Sequence, residues 1–185
     1  MMIFWGLLLG LPVLAFGGVA VYSPALISRF IEWFKSSRSV ALALTVLAWF
    51  WTAYECDTIG IDVFDMILKR FPFQLWIMAG VLSWLTFIWM PGNLPVRALT
   101  GILMLIPAEL FKATRPILPD GGFAAVHIFV VTAYIGAIIG MYGMFYPWRI
   151  EKGMGLLQNR PALFRVVGAL CVGWGVAIVA AGFVV

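Results

Sequence analysis

The chain has 185 residues, of which 64% are hydrophobic and 11% charged, with a mean hydropathy of +1.05 and a formal net charge of +4 at pH 7. Soluble domains run nearer ~45–50% apolar and ~25% charged. A water-soluble globule of this composition would expose more apolar surface than water tolerates, so the chain belongs in a bilayer. There the positions of Lys and Arg carry more information than their sum, and the positive excess is not taken as a nucleic-acid footprint.

A spanning helix needs ~20 mainly apolar residues. Six segments meet or approach that, at about 3–22, 39–54, 73–90, 96–110, 124–146 and 162–185. The first run holds Pro12, which removes a backbone donor and is expected to kink the helix. It lacks Lys or Arg ahead of the apolar stretch and an obvious small-residue cleavage site, so it is expected to be a retained span rather than a secretory signal.

Pro24 to Ser37 changes character. Ile27, Phe30, Ile31 and Phe34 recur at helical spacing while Arg29, Glu32 and Lys35 fall on another face, the pattern of an amphipathic helix lying in the membrane interface. The second span ends among Trp49, Trp51 and Tyr54, whose rings favour the headgroup level. A second amphipathic piece is predicted over Thr58 to Phe71, closed by Pro72, with Asp62, Asp65 and Lys69 on one face and Ile61, Phe64, Leu68 and Phe71 on the other.

The third span is followed by a tight turn at Pro91, Gly92, Asn93 and Pro95. The fourth is expected to break near Pro107, and Lys112 to Gly122, with Pro116, Pro119 and a Gly pair, is expected to be an exposed loop. The fifth and sixth spans are joined by a short basic loop, Pro147 to Arg160. The fold class is thus an all-α integral membrane protein in a single transmembrane domain, residues 1–185, with about six spans arranged as three hairpins and short interfacial helices. Two readings of the hairpins stay open: a weak repeat, or basic residues that anchor the helix ends of any cytoplasmic loop. Ser37-Arg38-Ser39 resembles Asn159-Arg160-Pro161, and Pro24 and Pro147 each open a basic connection.

Alternating spans put Arg29, Lys35, Arg38, Arg97, Arg149, Lys152, Arg160 and Arg165 on one side, leaving Lys69, Arg70, Lys112 and Arg115 on the other. The acids divide oppositely, with Glu55, Asp57, Asp62, Asp65, Glu109 and Asp120 facing the basic minority. The positive-inside rule then predicts a multi-pass protein of the cell (inner) membrane with both termini on the non-cytoplasmic side.

Chemistry-bearing residues are few. No phosphate-cradling Gly loop, nucleophile elbow or zinc-helix pattern occurs. Cys56 and Cys171 are far apart in sequence and are expected to be free thiols. His127 is the only histidine, too few for a bis-histidine haem, and no cofactor or metal is expected; a single-His haem or pigment ligand stays open beside a packing role. Glu55, Asp57 and Glu109 close apolar spans and form a possible polar cluster on the outer face, able to hold a cation or a partner, or simply to be solvated helix ends. No nucleophile or base accompanies them, which argues against an enzyme. The spans carry no charge at mid-depth, which argues against an ion-coupled pump.

Gly136, Gly140 and Gly143 in the fifth span and Gly168, Gly175 and Gly182 in the sixth form small-residue strips suited to close helix approach. Gly136, Gly140 and Gly143 are the candidate helix-packing interface. The expected role is a non-catalytic membrane subunit, an anchor or scaffold in a larger complex. Its partners would be lipids and other membrane subunits or further copies of itself, and not nucleic acid. The alternative is a small polytopic facilitator or a lipid or small-solute transporter.

Overall fold

A computed structural model describes residues 2–59, 73–90, 92–118 and 124–185. The elements are helical throughout: α1 (Met2–Tyr22), α2 (Pro24–Ser36), α3 (Arg38–Ile59), α4 (Gln74–Trp89), α5 (Leu94–Thr114), a 3₁₀ turn (Arg115–Ile117), α6 (Val126–Phe145), α7 (Pro147–Gln158) and α8 (Pro161–Val184). Among the described residues five helices are long and apolar enough to cross a membrane: α1, α3, α5, α6 and α8. The apolar α4 has 16 residues.

The amphipathic stretch opening at Pro24 forms α2, with proline in the first turn, where its missing N–H costs nothing. Three boundaries differ from expectation. The stretch after Pro147 is not a loop but the helix α7; its two glycines and its charges dilute the apolar pattern without breaking the backbone ladder. Lys112 is not in a loop either, because α5 runs through Pro107 to Thr114. Proline frees one carbonyl, but a membrane-type helix continues where a neighbour covers the gap. In α5 the freed carbonyl is that of Leu103, and it lies beside Gly136 of α6. The second amphipathic piece was placed on 58–71; its first two residues end α3, and 60–71 lies outside the described residues.

Helix packing does not follow the three sequence-adjacent hairpins. The closest pair is α1 with α8, the two ends of the chain, followed by α5 with α6; α3 packs on α5 and α4. α1 and α8 run antiparallel, since Gly6 meets Gly182, Gly10 meets Gly175 and Gly17 meets Gly168. Six glycines thus face one another across the pair. A methyl group added at Gly17 would sit 2.6 Å from the Gly168 carbonyl oxygen and 2.7 Å from the Val172 nitrogen, so backbone is packed on backbone. Without side chains between them, the helices gain dispersion contacts that lipid chains cannot match.

Among the described residues two apolar clusters hold the bundle at its two ends. One joins Met2, Leu110, Phe129, Ala133 and Ile178 from α1, α5, α6 and α8. The other joins Ala20, Ile27, Ile31 and Phe164, with Met154 and Leu157 of α7 packed against it. α2 and α7 therefore lie at the same end, the end where α1 finishes and α8 starts.

The clasp generates a sharp expectation. Gly17→Ala should destabilise the protein by about 1–3 kcal/mol, the usual range for overpacking. Gly18→Ala, one residue on and with nothing within 4 Å of the added carbon, should leave stability unchanged or slightly raised. Thermal unfolding in detergent separates the two; equal effects would mean that this face is not close-packed.

Candidate functional site

Glu55 is the one fully buried carboxylate among the described residues, at 4% exposure. It stands on the last turns of α3, where Trp51, Glu55 and Thr58 share a face through four- and three-residue spacing. Opposite, α5 presents Glu109 and Lys112 one turn apart. Lys112 Nζ donates to Glu55 Oε2 at 2.7 Å, to Glu109 Oε1 at 3.0 Å and to Thr58 Oγ1 at 3.2 Å. An ammonium has three N–H donors, and all three are used. The second Glu55 oxygen, Oε1, accepts from Trp51 Nε1 at 3.1 Å.

Two of the three sequence-predicted acids therefore converge, and Asp57 does not; it lies exposed on another face of α3. What brings Glu55 and Glu109 together is Lys112, which the sequence reading had assigned to a loop. Two carboxylates this close would repel in a low-dielectric setting, and the ammonium between them removes the conflict. Lys112 stands where a bound cation would stand, so the group ties α3 to α5. A shallow cavity of about 390 Å³ adjoins it, walled by Trp5, Leu47, Trp51 and Tyr54 with Glu109 at its margin.

The Gly136, Gly140 and Gly143 face lies against α5. A methyl group at Gly140 would come within 2.6 Å of Met104 Cγ and 2.8 Å of the Thr100 carbonyl oxygen, and one at Gly143 would collide with the Thr100 side chain. Gly136 is looser, 3.6 Å from the Leu103 oxygen by the same measure. It borders an apolar crevice of about 530 Å³ between the α1–α8 and α5–α6 pairs, lined by Leu9, Leu103, Ile135, Leu170 and Trp174 and reaching Cys171.

His127 sits at the start of α6, its Nδ1 3.0 Å from the Ala124 nitrogen. Cys56 and Cys171 are free thiols on α3 and α8. Among the described residues no three His, Cys, Asp or Glu side chains are grouped to hold a metal ion.

These helices define the class: a multi-pass α-helical membrane protein. No protein-family model, curated protein or solved structure matches the chain.

The residues that sequence reasoning missed are Lys112, Trp51 and Thr58 in the polar group and Gly6, Gly10 and Gly17 in the clasp. The spacing of Trp51, Glu55 and Thr58, and of Glu109 and Lys112, was a usable signal once both stretches were taken as helix.

Lys112→Met would leave Glu55 buried without its counter-charge. Breaking a buried pair typically costs ~3–5 kcal/mol; Lys112 is 43% exposed, and solvent screening lowers the expected loss to roughly 2 kcal/mol. Glu55→Gln with Lys112→Met should recover much of that loss. A double-mutant cycle on detergent-solubilised protein measures the coupling, and additive effects would mean that the two groups do not interact.

Proposed function

We propose that the chain is a six-crossing protein of the cell membrane that acts without catalysis, as an anchor or scaffold subunit. The observation that carries the reading is the polar group at the ends of α3 and α5. Its buried acid, its amine and its indole N–H are bonded to one another, so they serve helix–helix attachment.

Helix direction supports this crossing number. Met2 and Gly182 lie at one end because α1 and α8 are antiparallel. An even number of crossings fits that direction, and in this reading α4 is the sixth. Its 16 residues reach about 24 Å at 1.5 Å per residue, short of a ~30 Å hydrocarbon core. A modest local thinning of the bilayer accommodates such a helix. The end bearing α2 and α7 also carries Arg38, Arg97 and Arg160, whereas Glu55, Asp57 and Glu109 lie at the other. The basic end belongs in the cytoplasm by the positive-inside rule, and both termini lie outside. The order span, proline-initiated interfacial helix, span occurs twice, as α1–α2–α3 and α6–α7–α8, which supports a repeat of the first and last hairpins.

One surface open to a partner is the outer side of α4, which packs on α3 through Trp76 and presents Ile77, Val81, Trp84 and Ile88. A second reading, a facilitator or lipid-handling transporter, is favoured by the apolar crevice between the two helix pairs. Purification in mild detergent separates them. A stoichiometric membrane subunit that dissociates on Val81→Trp is the expected result. A monodisperse homo-oligomer with a polar cavity and no other chain would support the second reading and contradict the first.

A further inference from the structure

The basic end holds a cavity that neither the polar group nor the glycine faces account for. It measures about 380 Å³ and is lined by Lys35, Ser36, Ser37, Arg38, Ala41, Phe87, Leu94 and Pro95. Its position is set by three elements: the α2–α3 junction, the last turn of α4 and the first turn of α5.

The lining has a polar side and an apolar side. On the polar side are two cations, three residues apart, and no acid. Neither Lys35 nor Arg38 forms an ion pair with any described residue. The Arg38 guanidinium lies over the Phe87 ring, 5.0 Å from its centroid, which holds the charge at the cavity rather than leaving it to sweep through solvent. Ser37 Oγ accepts from the Val40 N–H at 3.4 Å, so its own hydroxyl hydrogen is available to donate. On the apolar side Ala41, Phe87, Leu94 and Pro95 continue into the spanning parts of α3, α4 and α5.

The Arg38 guanidinium held on the Phe87 ring, with the Lys35 ammonium and the Ser37 hydroxyl beside it, matches a phosphate, which accepts several charge-assisted hydrogen bonds at once. A single water occupies about 30 Å³, so the volume has room for more than an inorganic ion. An apolar wall leading into the membrane fits a ligand with hydrocarbon chains below its phosphate. We propose that this cavity is a binding site for the headgroup of an anionic phospholipid, with Lys35 and Arg38 on the phosphate, Ser37 donating to it, and the acyl chains laid along α3 and α4. This rests on the membrane reading above, which puts the α2–α3 junction at headgroup depth.

The test uses purified, delipidated protein in detergent, titrated with phosphatidylglycerol, with phosphatidylcholine of the same chains, or with inorganic phosphate. Phosphatidylglycerol should raise the melting temperature of the wild type by about 4–8 °C, the shift of a ligand at some thirty times its dissociation constant. Phosphatidylcholine and inorganic phosphate should each give less than a quarter of that. Lys35→Gln with Arg38→Gln should remove most of the shift, with Lys35→Gln alone as the milder variant should the pair fold poorly. Arg149→Gln with Lys152→Gln, at the same end but outside the cavity, should keep it. Equal shifts from the two lipids, or an equal shift from inorganic phosphate, would overturn the proposal. So would equal loss in the two double variants, since the charge of the whole end would then be responsible; that outcome leaves the membrane reading standing.

Discussion

The close approach of the first helix to the last is the contact on which the rest of the arrangement depends. In a bilayer the hydrophobic effect does not drive helices together, because lipid chains are as apolar as leucine. Association has to come from better packing than lipid offers. Gly6, Gly10 and Gly17 against Gly182, Gly175 and Gly168 provide it by bringing backbone within contact of backbone over most of two long helices. The pairing joins residues at opposite ends of the sequence, Gly17 with Gly168 and Gly6 with Gly182, so the chain between them has to fold back. It also fixes direction: α1 and α8 run antiparallel and end together.

The second pair, α5 with α6, uses the same device with a difference. Gly140 and Gly143 sit tightly against Thr100 and Met104, while Gly136 lies opposite the carbonyl that Pro107 leaves without a donor. The tight part is near the basic end and the loose part opens into the apolar crevice. The α3 helix joins this pair by polar means, through Lys112 between Glu55 and Glu109. The bundle is thus fastened by glycine contacts along two helix pairs and by one charged clamp at the acidic end. At the basic end, α2 and α7 close over α1 and α8 through Ile27, Ile31, Phe164 and Leu157.

Much of this was legible from the sequence because long apolar runs have few alternatives to helix in a membrane. The runs ending in Tyr22 and Val185 needed nothing more, and α2 was marked by its two-faced pattern of Ile27, Ile31, Arg29 and Lys35. What escaped has physical reasons. In α7, Gly153 and Gly155 weaken both helix propensity and apolar periodicity, so the segment resembled a loop. In α5, Pro107 resembled a terminus, although its cost is small where α6 covers the gap, and so Lys112 was placed off the helix that positions it. The clasp escaped for another reason. Gly168, Gly175 and Gly182 announce a contact face by their seven-residue spacing, but nothing in that spacing says which helix will meet it. Glu55 and Glu109 were paired on the outer face without the lysine that makes the pairing possible.

The central proposal is that the antiparallel α1–α8 clasp sets the start of α1 and the end of α8 at one membrane face, with α4 as a sixth crossing. Single-cysteine labelling in intact cells and inverted vesicles tests it directly. In a Cys56→Ser, Cys171→Ala background, cysteines would replace Asp57 and Val185 at one end and Glu32 and Lys152 at the other, all at least partly exposed. The account predicts that Asp57 and Val185 react from outside the cell, and Glu32 and Lys152 only from the cytoplasmic side. If α4 does not cross, the chain after it is inverted, and Val185 would be labelled from the side opposite to Asp57 while Lys152 would share the side of Asp57. That result would contradict the clasp.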